Sequence, residues 1–152
     1  MIERRLTVDD VHAHLRHRAP FLFVDSAEIS ADETRAWGTH AFTADEAYFG
    51  GHFPDDPLVP GVILLEFTAQ SANLLLSHRA GRMVQGYLVG VDEARFNLSV
   101  RPGQTIVAEA RLARDRPAGS DLQAERIVGF KVTVLLDGRR CMRASVNIYQ
   151  GD

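Results

Sequence analysis

The sequence predicts an α+β fold in which a bent antiparallel sheet wraps one long buried helix. Three observations predict it. From Gly61 to about Ser77 the chain carries apolar residues on nearly every side, the mark of a central helix rather than a surface one. After that run the period changes: Ile106, Ala108, Ala110 and Leu112 alternate, as do Val128, Phe130, Val132, Val134 and Leu136, and then Met142, Ala144, Val146 and Ile148. Asp137-Gly138 stands between the last two runs as a hairpin signal, so those strands pair antiparallel.

The remaining elements follow in chain order. Thr7 caps a short helix with Asp10 in its acidic first turn, and Leu6 and Val11 occupy the positions of a hydrophobic staple. That helix is expected to end near Arg16, because Pro20 restricts what precedes it. Phe21 to Ile29 reads as a strand, and Arg35 to Phe42 as a weaker one, with Trp37 in the core. Gly50 to Pro60 holds two glycines beside three prolines and is a loop; Pro60 takes the first position of the long helix. Gly86 to Val91 is a further strand, and Arg114 to Glu125 a polar loop with Pro117, Gly119 and Ser120. The layering is α+β. A helix apolar all round needs more cover than one small sheet provides, so at least a dimer is expected.

Composition narrows the function classes. With 152 residues and 45% hydrophobic content, residues 1–152 fit a single domain with one sizeable core. The formal net charge of -3 gives no reason to expect a nucleic-acid binder. The N-terminus lacks an apolar run after its charges and so is no secretory signal, and Val59 to Leu65 is far too short to span a bilayer. The lone Cys141 excludes an intrachain disulfide and agrees with a cytoplasmic setting. Arg79/Arg82 and Arg139/Arg140/Arg143 read first as ordinary solvated charge. His12, His14 and His17 do not form a metal site if the helix carries them on different sides.

Glu66 is the anomaly of the long helix, set among Ile63, Leu64, Leu65 and Phe67. Gln70 and Asn73 follow at i+4 and i+7 on the same face, giving a polar stripe on an apolar rod. Such a stripe is either a satisfied structural network or a carboxylic acid lining a mostly dry pocket. His52 shifts the balance. It lies in Tyr48-Phe49-Gly50-Gly51-His52-Phe53-Pro54, just before the helix, and the two glycines allow a ligand's backbone-close approach. The amides of Gly61 and Val62 at the helix start can hold negative charge developing on an oxygen. A base, an acid and an oxyanion site are the parts needed to remove a proton beside a thioester carbonyl. Tyr48, Phe49 and Phe53 either line an acyl tunnel or belong to the core. No nucleophile elbow is present.

These residues resemble the FabZ-type 3-hydroxyacyl-ACP dehydratases. His17-Arg18-Ala19-Pro20-Phe21-Leu22-Phe23-Val24-Asp25 resembles the family's opening motif. Gly51-His52-Phe53-Pro54, Pro57, Pro60-Gly61-Val62, Glu66 and Ala69-Gln70 resemble its active-site segment with the spacing intact, and Gly90 to Phe96 with Pro102-Gly103 its later signature. The resemblance spans roughly residues 14 to 149. It implies a hotdog fold, a homodimer as working unit, and assembly of three such dimers into a hexamer in many members. It implies that His52 is catalytic, that Glu66 completes the site from the partner subunit, that the Gly61 amide binds the thioester carbonyl, and that Gln70 supports Glu66. The substrate it implies is a (3R)-3-hydroxyacyl chain on the phosphopantetheine arm of an acyl carrier protein, converted to a trans-2-enoyl thioester in fatty-acid or polyketide-like synthesis, with no metal and no cofactor. Two departures stand out: Asn97-Leu98-Ser99 replaces a basic pair and proline, and Gly50 stands where glutamine is common. Arg79, Arg82, Arg95 and Arg101 are candidates for meeting an acidic carrier. The rivals are a hotdog thioesterase, in which Glu66 would activate water or attack the thioester, and a non-catalytic acyl-carrier-binding hotdog protein.

Overall fold

Thr7 accepts a hydrogen bond from the Asp10 amide while the Asp10 carboxylate accepts one from Thr7 N–H, a capping box that starts helix α1 (Val8–His14). In the computed structural model, which describes residues 1–115, 117 and 119–151 (of Glu3 the backbone alone), Leu6 and Val11 are both buried, as the staple requires. The helix stops two residues earlier than expected. Leu15 is already extended, and the Arg18 guanidinium donates to the carbonyls of His12, Leu15 and His17, satisfying groups the helix end leaves free. An unexpected strand, β1 (Ile2–Leu6), pairs antiparallel with β2 (Ser26–Ser30).

The strand expected from Phe21 begins only at Ser26. Its first half cannot join a ladder because a side chain has claimed its backbone: Gln70 Oε1 accepts from Phe23 N–H at 2.8 Å, and Gln70 Nε2 donates to Phe21 O at 2.9 Å. β3 (Arg35–Ala41) forms close to expectation, but Trp37 lies on its outward side, half-buried, and donates to Glu109; it is not core.

Helix α2 runs Gly61–Ala80, one position later than predicted at its start, with Pro60 as N-cap, and ends at Gly81 in the left-handed conformation (φ 66°). From Phe67 to Ser77 every residue is buried, whereas the first turn is open, with Val62 71% exposed. The central rod is therefore dry in its middle and accessible where it begins.

The sheet has the order β1-β2-β3-β5-β6-β7-β4, antiparallel throughout, and it wraps α2 through β3 to β7. β5 (Thr105–Leu112), β6 (Ile127–Leu136) and β7 (Arg139–Gly151) bury the alternating residues the period marked. Asp137 and Gly138 join β6 to β7 with φ of 48° and 76°, both positive as a type I′ turn needs. β4 (Gln85–Phe96) is twice the expected length; a bulge between Asp92 and Arg95 carries Glu93 at φ 52°. β4 is also an edge strand, and Tyr87, Leu88, Val89, Val91 and Phe96 are all exposed on it. The polar loop holds a short 3-10 turn, Leu122–Ala124; Arg116 and Ala118 in it lie outside the described residues. Arg79 is not solvated charge: it donates to the carbonyls of Glu33, Pro117 and Ser120 and to the Ser120 hydroxyl. Arg101 is paired with Asp56 at 2.6 Å. Among the described residues no helix is long and apolar enough to cross a membrane.

Candidate active site

His52 is delivered by a 3-10 turn, Ala47–Gly50, and a short loop that closes on itself. Leu58 N–H donates to His52 O at 2.8 Å, and His52 Nδ1 lies 3.0 Å from Leu58 O. A carbonyl only accepts, so Nδ1 carries the proton and Nε2 keeps its lone pair, the tautomer a general base needs. The imidazole stacks on Phe53, with centroids 4.3 Å apart and rings inclined at 23°. Phe53 is half-exposed, Phe49 is buried in the core, and Tyr48 packs partly against it. Phe49 thus serves packing, and of the three aromatic candidates only Phe53 stands at an open surface.

The start of α2 is shaped for close approach. No side chain caps its first turn. A Cβ on Gly61 would come within 2.9 Å of the Phe96 ring, so glycine is the residue that lets Phe96 lie over the helix start. Gly61, Leu64 and Phe96, with Leu58, Leu98 and Val100, line a groove of about 330 Å³. Asn97 and Ser99 add polar groups to its walls, and the helix amides at its end offer the partial positive charge of an oxyanion site.

Glu66 sits one and a half turns further on, its side chain 20% exposed and so less deeply buried than the sequence implied. Gln70 Nε2 donates to Glu66 Oε1 at 3.0 Å, and His17 Nε2 lies 3.3 Å from the same oxygen. Glu66 opens on a cavity of about 30 Å³ lined also by His17, Gln70, Asn73, Gly86 and Leu88. Much of the polar stripe is a satisfied structural network. Gln70 orients Glu66 while it ties down Phe21 and Phe23; Asn73 is structural, donating to Val84 O and packed so tightly on Gly86 that a Cβ there would clash with its Oδ1.

Within one chain His52 and Glu66 share no hydrogen bond, ion pair or cavity. Two larger cavities, about 500 and 380 Å³, lie on the outer face of the sheet among charged residues such as Lys131 and Arg143 and include neither group. Both mix charged with apolar side chains and lie apart from the two candidate catalytic groups. Sequence reasoning missed two residues. His17 lies beyond the end of α1, and its ring turns back to Glu66. His40 alternates with Ala36 and Gly38 on the inward side of β3, a signal that was there to be read.

Comparison with known proteins decides the lineage. A family model described as the FabA-like domain matches residues 15–145. The chain belongs to the FabA-like family. Among curated relatives, the 3-hydroxyacyl-[acyl-carrier-protein] dehydratase FabZ of Chloroflexus aggregans is 42% identical over 114 residues, covering 73% of this chain and 78% of that protein. The FabZ dehydratase of Bacillus cereus is 37% identical over 148 residues, covering 97% of each chain. Among solved structures, the dehydratase heterocomplex ApeI:P from Xenorhabdus doucetiae superposes with a TM-score of 0.72 over 93% of this chain and 91% of that one, at 18% identity, which speaks to the fold: a hotdog domain. That hotdog domain matches the fold expected from an apolar helix and the alternating strands that wrap it.

Proposed function

We propose that this chain is a 3-hydroxyacyl-[acyl-carrier-protein] dehydratase, a hydro-lyase acting as a homodimer whose two active sites each combine His52 of one subunit with Glu66 of the other. The reaction class follows the FabZ relatives, which match over nearly the whole chain. The composite site is supported by one observation: both half-sites border the same unpaired edge. Leu88 and Gly86 of β4 line the Glu66 cavity, and Phe96 at the other end of β4 lines the Gly61 groove. Two β4 strands pairing antiparallel about a point near Asp92 bring Leu88 of one copy to the Phe96 end of the other, and with it Glu66 to the groove beside His52. The same pairing covers the exposed apolar residues of β4 and satisfies its free backbone groups.

In that site the His52 Nε2 lone pair removes the α-proton of the 3-hydroxyacyl thioester. Negative charge gathers on the thioester oxygen, where the Gly61 N–H donates to it, assisted by Val62. The Cβ–O bond then breaks, the Cα–Cβ double bond forms, and Glu66 gives its proton to the departing hydroxyl, which leaves as water. Gln70 and His17 hold the Glu66 carboxyl in place; Phe53 flanks the acyl chain, with Tyr48 packed behind it. The substrate arrives on the phosphopantetheine arm of an acyl carrier protein in the cytoplasm, and no metal or cofactor takes part. Three such dimers forming a hexamer fits the family pattern.

Purified protein is expected to interconvert a 3-hydroxyacyl and a trans-2-enoyl thioester of an acyl carrier protein, read by absorbance of the conjugated enoyl group. Release of free thiol without enoyl formation would instead establish the thioesterase reading, and neither signal would favour a non-catalytic carrier-binding protein.

A further inference from the structure

The inward face of β3 carries a histidine in the middle of an aromatic core. His40 is 6% exposed, and the rings of Phe23, Phe42 and Phe67 surround it at centroid distances of 6.0, 4.4 and 6.3 Å. Both of its nitrogens are engaged by carboxylates. Nδ1 lies 2.9 Å from Asp25 Oδ1, and Nε2 lies 2.9 Å from Glu46 Oε1. Asp25 is itself fixed, its Oδ2 accepting the Ala41 amide at 2.9 Å. Two carboxylates can be served at once only by an imidazole that donates from both nitrogens, which is the cation. Burial works against that charge, but the bonds to Asp25 and then Glu46 outweigh it and hold the His40 pKa above its ordinary value. Burial likewise opposes ionisation of Asp25, and its bond to His40 still brings the carboxyl below its usual range.

Glu46 is the N-cap of the 3-10 turn Ala47–Gly50, and its carbonyl accepts the Phe49 amide. The next bonds in the chain, from Gly51 N–H to Tyr48 O and from His52 N–H to Phe49 O, run straight to the imidazole of the active site. The Tyr48 phenol and Glu46 Oε2 are both shut off from solvent; burial first, then the Glu46 charge and its side-chain contact, push the phenol pKa far up. Asp25 and Glu46 are the titratable groups bonded to His40, and α2 meets it with the Phe67 ring. So the turn is gripped at its first residue by a cation anchored through Asp25 to the sheet, on no element that the chemistry uses.

We infer that His40 is a positioning residue of the dehydratase site: its doubly bonded imidazole cross-links Asp25 to Glu46 and fixes the turn that delivers Tyr48 and His52. This rests on the reading of His52 as the base. The sign of its pH dependence follows from the geometry. The clamp is complete while His40 is charged, and its stabilisation is fully present below the ordinary histidine pKa. As pH rises through the raised folded value the proton is lost, one nitrogen then sets a lone pair against a carboxylate oxygen, and the grip on Glu46 loosens.

The test uses the purified full-length protein in its native assembly, with kcat and KM measured against pH for wild type, His40→Asn, His40→Lys and Glu46→Gln, each normalised to folded protein. His40→Asn removes the cation; kcat is expected to fall at least tenfold, more than KM changes. His40→Lys keeps a cation that does not titrate near neutrality; it is expected to recover most of kcat and to move the alkaline limb of the profile upward. Glu46→Gln removes one carboxylate and is expected to move that limb downward, which keeps the test alive if His40→Asn fails to fold. A merely structural His40 would lower the melting temperature of these variants and leave both kcat per folded molecule and the alkaline limb unchanged; that result overturns the inference. His52→Ala separates the two claims: full activity there sinks the assignment of the base, whereas an inactive His52→Ala beside unaltered His40 variants sinks only the positioning role.

Discussion

The two halves of the site are held by opposite means. His52 rides on a loop, and its geometry depends on backbone carbonyls and on a side-chain clamp at Glu46. Glu66 rides on the rigid middle of α2, and its geometry depends on a helix neighbour, Gln70, and on His17 from the segment after α1. The loop half can be tuned by a charge at a distance; the helix half can be changed only by disturbing the core around it. In the proposed mechanism a base that meets substrate at an open groove and an acid kept from bulk water place these different demands on the chain.

The largest effect that probes this contrast is chemical. His52→Ala and Glu66→Gln should each lower kcat by about 10²–10⁴-fold, the span of general acid–base catalysis, while circular dichroism and melting temperature stay near wild type. Equal losses would mark both halves as part of one proton-transfer unit. Next comes Gln70→Ala. It leaves Phe23 N–H, Phe21 O and Glu66 Oε1 each short of a partner in a nearly dry region, and is expected to cost about 2–3 kcal/mol of stability by chemical denaturation and to lower kcat as well. A stability loss with unchanged kcat would show that Glu66 does not need it. The smallest is Thr7→Ala, which removes the cap of α1 far from either half; about 1 kcal/mol of stability should be lost with kcat and KM unaltered.

What the sequence disclosed followed from where each element finds its partners. β5, β6 and β7 bury one face on α2 and leave the other polar, so alternation named them nearly to the residue. Phe21 to Asp25 looked equally strand-like, but its backbone partner is a glutamine side chain on α2, and no local pattern announces a contact 47 positions away. β1 is a charged edge strand, Ile-Glu-Arg-Arg-Leu, without the apolar period that marks an inner one. At the site, Glu66 and His52 stood out because a carboxylate in an apolar helix and a histidine between glycines and a helix start are each costly or unusual. His17 escaped because its role is a contact with Glu66 on a distant helix, which no local pattern announces.

The central claim is that one active site draws His52 from one subunit and Glu66 from its partner, across paired β4 edges. Mixing the inactive His52→Ala and Glu66→Gln proteins, with subunit exchange by co-refolding, tests it directly. Random pairing makes half of the dimers mixed, and each mixed dimer holds one site with both wild-type groups out of two, so about one quarter of wild-type activity should return (½ × ½). Activity that stays at the level of the separate variants, in a preparation shown to contain mixed dimers, would contradict the shared site.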